Sequence, residues 1–382
     1  MRLFRCFALA AVGTAAFAWA GPITGPALAS PQAAGPSHVS PPFLARFHRT
    51  VKIASTIPAN GDVNPYGVAV IGQSQGLLRR GNVLVSNFNN SGNQQGTGST
   101  IVQITPSGKV RLFAHISRRG LPGLCPGGIG LTTALVIIHN WVIVGSLPSV
   151  KGQPATAKAG CLLVLDSYGR VRETFSGGGI NGPWDATAVT RGSRALLFIT
   201  NVLNGTVAAK GGVVHRGTVL RLALRFFPHP NHLPLLTGRT VVGSGFSELT
   251  DPNAFVIGPT GLGIGRDGTL YVADTGRNRI TAIRNALTRP TTGRTGAVVT
   301  VGRMLNGPLG LAIAPGGDIL TVNGGDGKIV ETTPFGAQVA SRFLDTAGTP
   351  PGAGALFGLA VAPRGVGVYY VDDNANTLRL LF

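Results

Sequence analysis

Residues Gly258–Ile280 read GPTGLGIGRDGTLYVADTGRNRI, and the chain repeats this phrase with variations. It returns as GPLGLAIAPGGDILTVNGGDGKIVE at Gly307–Glu331 and as ALFGLAVAPRGVGVYYVDDNANTLRLL at Ala355–Leu381, with a weaker copy at Asn64–Phe88. Each copy contains a small-residue turn, an apolar strand, a Gly-rich turn, a second apolar strand, an Asn/Asp corner and a third strand. A repeated three- or four-stranded unit of about 40–50 residues is typical of a β-propeller blade.

We count six such units by the residue pairs that open their innermost strands. These strands are short, apolar on both faces and rich in small residues, as expected where blades crowd around one axis. The sequence therefore predicts an all-β fold, a six-bladed β-propeller. The opening pairs are Tyr66-Gly67, Gly128-Ile129, Trp184-Asp185, Thr260-Gly261, Leu309-Gly310 and Phe357-Gly358.

The last unit lacks a fourth strand, because no chain remains after Thr377–Phe382. A spare strand, Arg49–Ile57, precedes the first unit. We expect this N-terminal strand to pair with the last blade and close the ring, since closure removes exposed strand edges. The alternative is a ring of five blades with an independent strand.

The sequence divides into three segments. Residues 1–29 begin with Arg2 and Arg5, continue into an apolar run and end in Ala27-Leu28-Ala29, the pattern of a signal peptide. A membrane anchor is the alternative, although glycines and prolines interrupt the run before it reaches about 20 residues. Residues 30–47 are predicted to be a Pro/Ala-rich linker, and residues 48–382 to be the propeller. We therefore expect an exported protein, periplasmic or secreted.

Two cysteines follow the predicted signal peptide, Cys125 and Cys161. An even, low cysteine count in an exported chain indicates a disulfide bond. Both residues fall in the second unit, one before its first strand and one at the start of its third. Two separate buried thiols are the alternative.

The chain carries a formal charge of +19, yet only 12% of its residues are charged. Its basic residues are dispersed and its aromatic residues lie inside predicted strands, whereas nucleic-acid binding requires clustered Lys/Arg with stacking aromatics. We expect no nucleic-acid partner and a monomeric protein. The charge fits attraction to an anionic cell-envelope surface, or adaptation to acidic surroundings, where few carboxylates limit acid destabilisation.

The fourth unit resembles an NHL repeat. The match begins with Pro259, Gly261 and Gly268. It continues through Tyr271-Val272-Ala273-Asp274-Thr275 and Asn278-Arg279-Ile280. The fifth and sixth units are similar to this repeat in outline and the first three only loosely. The resemblance implies a six-bladed propeller used to bind a small ligand or a protein partner.

The inner-strand openings place a ring of residues at one mouth of the central channel. In gluconolactonase-like propellers this region supplies Glu, Asn and Asp ligands to a divalent metal, whereas Asp185 is the only carboxylate of the ring here. We therefore expect neither a metal nor a cofactor. Tyr66, Trp184 and Phe357 are candidates to line an apolar pocket with Asp185 as its polar element. Simple packing between blades is the alternative.

A second ring follows from the ends of the second strands. Equivalent positions in successive blades lie on one circle, so these amides and carboxylates are placed to bind a cation through oxygen atoms. The alternative is that each side chain caps the turn that follows it. The ring consists of Asn87, Ser146, Asn201, Asp274, Asn323 and Asp372.

The third unit carries a long insertion, Asn204–His215 and Phe226–Leu249. Insertions of this length are often functional, and this one is predicted either to cover the channel mouth or to lie on the outer edge. It contains His229 and His232, which we interpret as a surface pair rather than a metal site.

No nucleophile elbow, phosphate-binding loop or C-x-x-C motif is present. The sequence therefore favours a binding or scaffold module without catalysis. The alternative is a propeller enzyme of the lactonase, lyase or strictosidine-synthase-like kind. Its active site would lie at the channel mouth and combine Asp185 with His139 or Glu248.

Overall fold

The structure, a computed structural model, describes residues 41–228 and 232–382. The predicted signal peptide, most of the predicted linker and His229 lie outside the described residues. Short 3-10 helices span Phe43–Arg46, Pro154–Thr156, Thr275–Arg277 and Pro363–Gly365.

The described chain otherwise consists of β-strands, as the alternating apolar runs and Gly-rich turns predict. In chain order they are β1 Thr50–Ser55, β2 Val63–Val70, β3 Val83–Asn89, β4 Thr100–Ile104, β5 Val110–His115, β6 Leu131–Ile138, β7 Trp141–Ser146, β8 Cys161–Leu165, β9 Val171–Phe175, β10 Pro183–Arg191, β11 Arg194–Asn201, β12 Val214–Arg225, β13 Leu235–Asp251, β14 Phe255–Ile257, β15 Pro259–Ile264, β16 Leu270–Asp274, β17 Arg279–Ile283, β18 Ala297–Val301, β19 Pro308–Ile313, β20 Ile319–Asn323, β21 Lys328–Thr332, β22 Gln338–Phe343, β23 Leu356–Val361, β24 Val368–Asp372 and β25 Thr377–Leu381.

These strands form six antiparallel sheets, the blades of a propeller. Blades 1, 2, 4 and 5 are four-stranded meanders that begin at β2, β6, β15 and β19, and blade 3 contains the five strands β10–β14. The innermost strand of every blade contacts the innermost strands of both neighbouring blades, all the way around the axis. The predicted six-bladed fold is confirmed.

The sixth blade combines the two ends of the described chain. Its sheet order is β1-β25-β24-β23, and β1 pairs antiparallel with β25 from Thr50 opposite Leu381 to Ser55 opposite Thr377. The N-terminal strand therefore closes the ring as predicted, and the five-blade alternative is wrong. Strand β1 satisfies the backbone groups that β25 would otherwise expose.

The folded part of the chain begins before residue 48, earlier than the predicted end of the linker. Phe43, Leu44 and Phe47 are buried in a hydrophobic cluster formed with blades 5 and 6. The carboxylate of Glu331, itself fully buried, accepts hydrogen bonds from the amides of Phe43 (2.6 Å) and Leu44 (2.8 Å). Composition alone suggested a linker here, because a Pro-rich segment with few apolar residues resembles one until its partner surface is known.

Blade 3 is longer than the others. Strand β13 contains 17 residues and pairs along most of β12, so that the predicted insertion between Phe226 and Leu249 is largely an extended hairpin. After β13 the chain turns back into the short strand β14, with Asp251 opposite Phe255. The other part of the insertion, after Asn204, is the loop that joins β11 to β12.

A disulfide joins Cys125 to Cys161 within blade 2. Cys125 lies in the loop before β6 and Cys161 begins the third strand of the blade, as predicted. The bond is compatible with an oxidising, extracytoplasmic environment. Across residues 41–228 and 232–382, no helix has the length and apolar character needed to span a bilayer.

Candidate functional site

All six inner strands contain a register shift near their first residues. Pro259 pairs with Asp274 and Leu262 with Val272, so that Thr260 and Gly261 bulge out of the ladder, and the other inner strands break register at the equivalent place. β-Bulges of this kind aim particular side chains and are frequent beside functional sites.

In four blades the residue at the position equivalent to Gly261 is glycine. A Cβ atom on Gly310 would overlap the backbone oxygen of Phe357 in the next blade, and one on Gly358 would overlap that of Tyr66. The close approach of neighbouring inner strands therefore favours glycine at this level of the axis. The four residues are Gly67, Gly261, Gly310 and Gly358.

Blade 3 places Asp185 at this position. Its side chain is 8% exposed, and its Oδ2 accepts a hydrogen bond from the Leu262 amide of blade 4 at 2.9 Å. Its own amide donates to the Thr200 hydroxyl at 3.0 Å, which donates in turn to the carbonyl of Thr260 at 2.9 Å. Asp185 is thus held between two blades at the channel axis.

Blade 2 departs from the pattern in another way. Its inner strand starts at Leu131, not at the predicted opening Gly128-Ile129. Three residues, Thr132 to Ala134, lie between its paired residues Leu131 and Leu135, whereas blades 3 to 6 have two residues there. The predicted pair lies in the loop before β6, where Gly128 resembles the glycine near the start of four other inner strands. Thr133 is buried, and its hydroxyl has no hydrogen-bond partner within the described residues.

Asp185 and Thr133 line a chamber of about 50 Å³ on the axis. This volume exceeds the minimum that one water molecule needs. A wider channel of about 360 Å³ continues from it and is lined by three consecutive residues of each inner strand, for example Val68 to Val70. Its lining is apolar apart from Thr187. The chamber and the channel share wall residues, namely Val68, Leu135, Ala186, Leu311 and Leu359.

Burial raises the pKa of the Asp185 carboxyl to about 7, while hydrogen bonds from the amides of Leu262 and Ala186 act in the opposite direction. A carboxyl group of this pKa exchanges a proton near neutral pH. When ionised, the carboxylate can bind a cation or a hydrogen-bond donor; when neutral, the carboxyl group can itself donate a hydrogen bond.

This pKa predicts a pH dependence of stability. Because the folded-state pKa lies above the unfolded value of about 3.9, the folded protein binds more protons between pH 4 and pH 7, and the contribution of Asp185 to stability falls as the pH rises through that window. Through Asp185 the parent protein should lose up to about 4 kcal/mol of its free energy of unfolding across this window. Asp185→Asn should not show this loss. Urea unfolding of both proteins at pH 4.5 and pH 8 measures it, and parallel pH profiles would contradict it.

The predicted aromatic residues of the mouth do meet. The rings of Tyr66 and Phe357 are stacked with centroids 4.0 Å apart, and Tyr66 contacts Trp184 edge-on at 5.4 Å. Phe88 stacks on the other side of Tyr66 at 4.5 Å. Tyr66 and Trp184 are each only 2% exposed, so these rings fill the mouth by packing against one another.

Blade 3 covers this aromatic cluster. Phe255, at the start of β14, is fully buried against Phe88 with centroids 5.4 Å apart. Its φ of 65° lies in a region that bulky residues avoid. At the tip of the same hairpin the carbonyl of Asn253 accepts a hydrogen bond from Gln95 Nε2 of blade 1 at 2.8 Å. The hairpin therefore reaches from blade 3 to blade 1 beside the aromatic cluster.

The other end of the channel has a different character. Along β6 the side chain of Leu135 is buried, whereas Val136 and Ile137 are half-buried, and the last lining residues of β2, β10 and β23 are likewise half-buried. Solvent therefore reaches the channel from the turns that follow the inner strands. Asp185 lies at the inner end of an apolar channel that opens on the face opposite the aromatic cluster.

The second predicted ring consists of buried side chains, each bound to its own surroundings. Asn87 Nδ2 donates to the carbonyl of Thr56 at 3.0 Å, Asn323 Nδ2 donates to that of Met304 at 2.7 Å, and Asp274 accepts from Arg279 Nε at 2.7 Å. Asn201 accepts from the Asn181 amide and Asp372 from the Ala375 amide, at 3.0 and 3.1 Å. These contacts hold the turns and loops beside each second strand.

The structure does not bring the other candidate catalytic residues to Asp185. Glu248 is buried below the β11–β12 loop, where its Oε1 accepts a hydrogen bond from the Asn204 amide at 3.0 Å, and burial raises its pKa to about 7. His139 lies in the turn after β6, with its ring 5.0 Å from that of Phe226. Neither residue lines the chamber.

The remaining histidines lie elsewhere. His215 Nδ1 and the Ser247 hydroxyl are 3.1 Å apart, and His232 contacts the ring of Phe227 at 5.5 Å. Within residues 41–228 and 232–382, no three His, Cys, Asp or Glu side chains are grouped so as to hold a metal ion.

Comparison with known proteins gives relatives by fold only. No protein-family model matches the chain. No curated protein matches it. Among solved structures, a gluconolactonase from Xanthomonas campestris is 14% identical, with 87% of this chain and 88% of that chain covered and a TM-score of 0.53.

Two further solved structures have the same architecture. A luciferin-regenerating enzyme is 10% identical, covering 87% of this chain and 95% of its own, with a TM-score of 0.55. The calcium-binding protein regucalcin from Agrobacterium tumefaciens is 11% identical, covering 86% and 92%, with a TM-score of 0.51. At these identities the likeness establishes the fold, a six-bladed β-propeller of the kind found in gluconolactonases.

Proposed function

We propose that this propeller binds a small molecule in its axial channel and that Asp185 contacts the bound molecule. The observation that carries the proposal is the place of Asp185 in the repeat. Four blades close the inner ring with glycine at this level, so the fold does not require a carboxyl group there. Burying a carboxyl is unfavourable, and a residue retained against that cost is a candidate functional group.

The surroundings of Asp185 define the ligand class. The channel walls are aliphatic and offer apolar contact, while the chamber offers the Asp185 carboxyl and the unpartnered Thr133 hydroxyl. Sites for small molecules commonly combine apolar walls with a few placed polar groups. The ligand we infer has a slender apolar body and an ammonium or hydroxyl group that enters first and reaches Asp185.

The experiment uses n-octylammonium, 1-octanol and octanoate as probes of the channel. We expect n-octylammonium to raise the melting temperature most and octanoate least, because only the first gains an ion pair with Asp185. Asp185→Asn retains an acceptor for the Leu262 amide but removes the charge, and should abolish the n-octylammonium shift. Glu248→Gln is the matched control, since it neutralises a buried carboxyl outside the channel.

An n-octylammonium shift that survives Asp185→Asn would contradict the proposal. So would a shift that Glu248→Gln removes equally, because the effect would then follow from altered stability and not from contact with the ligand.

An enzyme that uses the same carboxyl is the second candidate. The gluconolactonase and the luciferin-regenerating enzyme are both propeller enzymes, which fits this alternative better than a scaffold. A pKa of about 7 also suits Asp185 for general acid–base catalysis. Hydrolysis of a panel of alkyl lactones that is lost in Asp185→Asn and kept in Glu248→Gln would support it. Turnover independent of Asp185 would exclude this carboxyl as the acid or base.

We further propose that the protein is exported and is related to NHL-repeat propellers. The disulfide and the signal-like first 29 residues support export. The motif of blade 4 supports the relationship, because Asp274 and Arg279 of that motif form a buried ion pair at 2.7 Å.

A further inference from the structure

A cavity separate from the Asp185 chamber lies between blades 6 and 1. Its volume is about 770 Å³, within the range of about 300–1,000 Å³ typical of small-molecule sites. We name it the seam cleft, because it follows the junction between blades 6 and 1. It is lined by Val70, Ile71, Gly72, Arg80, Gly81, Pro106, Val361, Ala362, Pro363, Arg364, Val366, Tyr369 and Leu380.

The cleft walls are largely apolar. Aliphatic residues of the inner strands form one end and Leu380 of β25 lies toward the other, with the ring of Tyr369 between them. Val366 contributes an exposed apolar side chain at 56% exposure. An apolar cavity of this size favours a ligand with a substantial apolar body, because burying apolar surface yields roughly 25 cal/mol per Å².

Two arginines are the only charged residues of the lining, Arg80 from blade 1 and Arg364 from blade 6. Both are exposed, and within the described residues neither forms an ion pair. The two guanidinium groups therefore favour an anionic ligand in the cleft.

We propose that the seam cleft binds a free anionic amphiphile of the carboxylate class, with its apolar body between blades 6 and 1 and its anionic group at Arg80 and Arg364. Guanidinium groups bind carboxylates through short, charge-assisted hydrogen bonds. The cleft has room for one small molecule, which favours a dissolved monomer of the amphiphile over a membrane surface as the ligand. The proposal is independent of Asp185, which does not line the cleft, although Val70 and Val361 contribute to both the cleft and the channel.

Filling the cleft tests the location of the site. A Cβ atom on Gly72 meets no atom within 4 Å, and neither does one on Gly316, which lies in the corresponding turn of blade 5 outside the cleft. Gly72→Phe should therefore fold normally and place a ring in the cleft, while Gly316→Phe adds the same ring elsewhere. In calorimetric titrations with decanoate, we expect Gly72→Phe to abolish binding and Gly316→Phe to leave it unchanged.

Charge variants test the anionic requirement. Arg80→Ala/Arg364→Ala should weaken decanoate binding at least tenfold. Arg191→Ala/Arg194→Ala removes two exposed arginines from blade 3 and should have less than a twofold effect. Decan-1-ol should bind more weakly than decanoate, and decyltrimethylammonium should not compete with it. The full chain is used throughout, at concentrations below micelle formation, and equal melting temperatures establish that each variant is folded.

Three outcomes would overturn the proposal: no decanoate binding to the parent protein, equal binding to Gly72→Phe and Gly316→Phe, or equal affinity for decyltrimethylammonium and decanoate. Binding to phosphatidylglycerol vesicles without binding to monomeric decanoate would also overturn it and would indicate a membrane surface as the partner. Loss of decanoate binding in Asp185→Asn but not in Gly72→Phe would likewise overturn the cleft proposal and would assign the anion to the axial channel.

Discussion

A chain that begins at residue 58 is expected to lose the cooperative unfolding transition of the propeller. Its missing segment contains β1 and the buried residues Phe43, Leu44 and Phe47. Their loss would expose the edge of β25 and leave the buried Glu331 carboxylate without its two amide donors. Together these losses are comparable with the roughly 5–15 kcal/mol that stabilises a typical domain. Thermal unfolding followed by circular dichroism, together with size-exclusion chromatography, measures the outcome.

The control is a chain that begins at residue 41, which keeps every one of these contacts and should unfold like the parent. Glu331→Gln supplies an intermediate case, because it keeps one acceptor for the two amides. A monomeric, cooperatively folded chain that begins at residue 58 would show that closure by β1 is dispensable.

Trp184→Ala is expected to destabilise the protein by about 3–5 kcal/mol, the usual cost of removing a large buried aromatic side chain. Trp184 is 2% exposed and lies 5.4 Å from Tyr66 and 6.1 Å from Phe88 between ring centroids. Its loss would leave a cavity beneath the hairpin that carries Phe255. Urea unfolding at constant pH measures the change in the free energy of unfolding.

Trp184→Phe should cost less, because a smaller ring still fills part of the space. Phe335→Ala is the matched control, since that ring is 97% exposed and its removal should change stability by less than about 0.5 kcal/mol. A cost below 1 kcal/mol for Trp184→Ala would mean that the aromatic cluster is not a packed core.

The repeat predicted the fold because each blade obeys the same local rules. Apolar runs, Gly-rich turns and Asx corners recur in phase, so five of the six inner-strand openings could be read from residue order alone. The opening of blade 2 was misplaced at Gly128, because this glycine resembles the one near the start of four other inner strands although it lies in the loop before β6. The packed role of Phe43 and Leu44 was also missed, because it depends on a partner, Glu331, from a distant part of the sequence.

The candidate site was predictable only in part. The sequence placed Tyr66, Trp184, Asp185 and Phe357 at one level of the axis, but gave no indication that the aromatic rings are covered by Phe255. That contact depends on the length of β13 and on a backbone conformation at Phe255 that aromatic residues rarely adopt. The direction from which Asp185 is accessible is therefore a tertiary property, and so is the seam cleft.

The pairing of β1 with β25 also constrains the order of folding. These strands are the first and the last of the fold, so the closing contact has the greatest sequence separation of any strand pair in the sheets. Contacts of such separation form slowly, since the entropy of closing the intervening loop must be overcome first. Strand β1 must stay unpaired until β25 is available, and its exposed edge remains a target for aggregation during that interval. A chain with this topology benefits from being kept unfolded until its synthesis is complete, which is the condition under which many proteins cross a membrane.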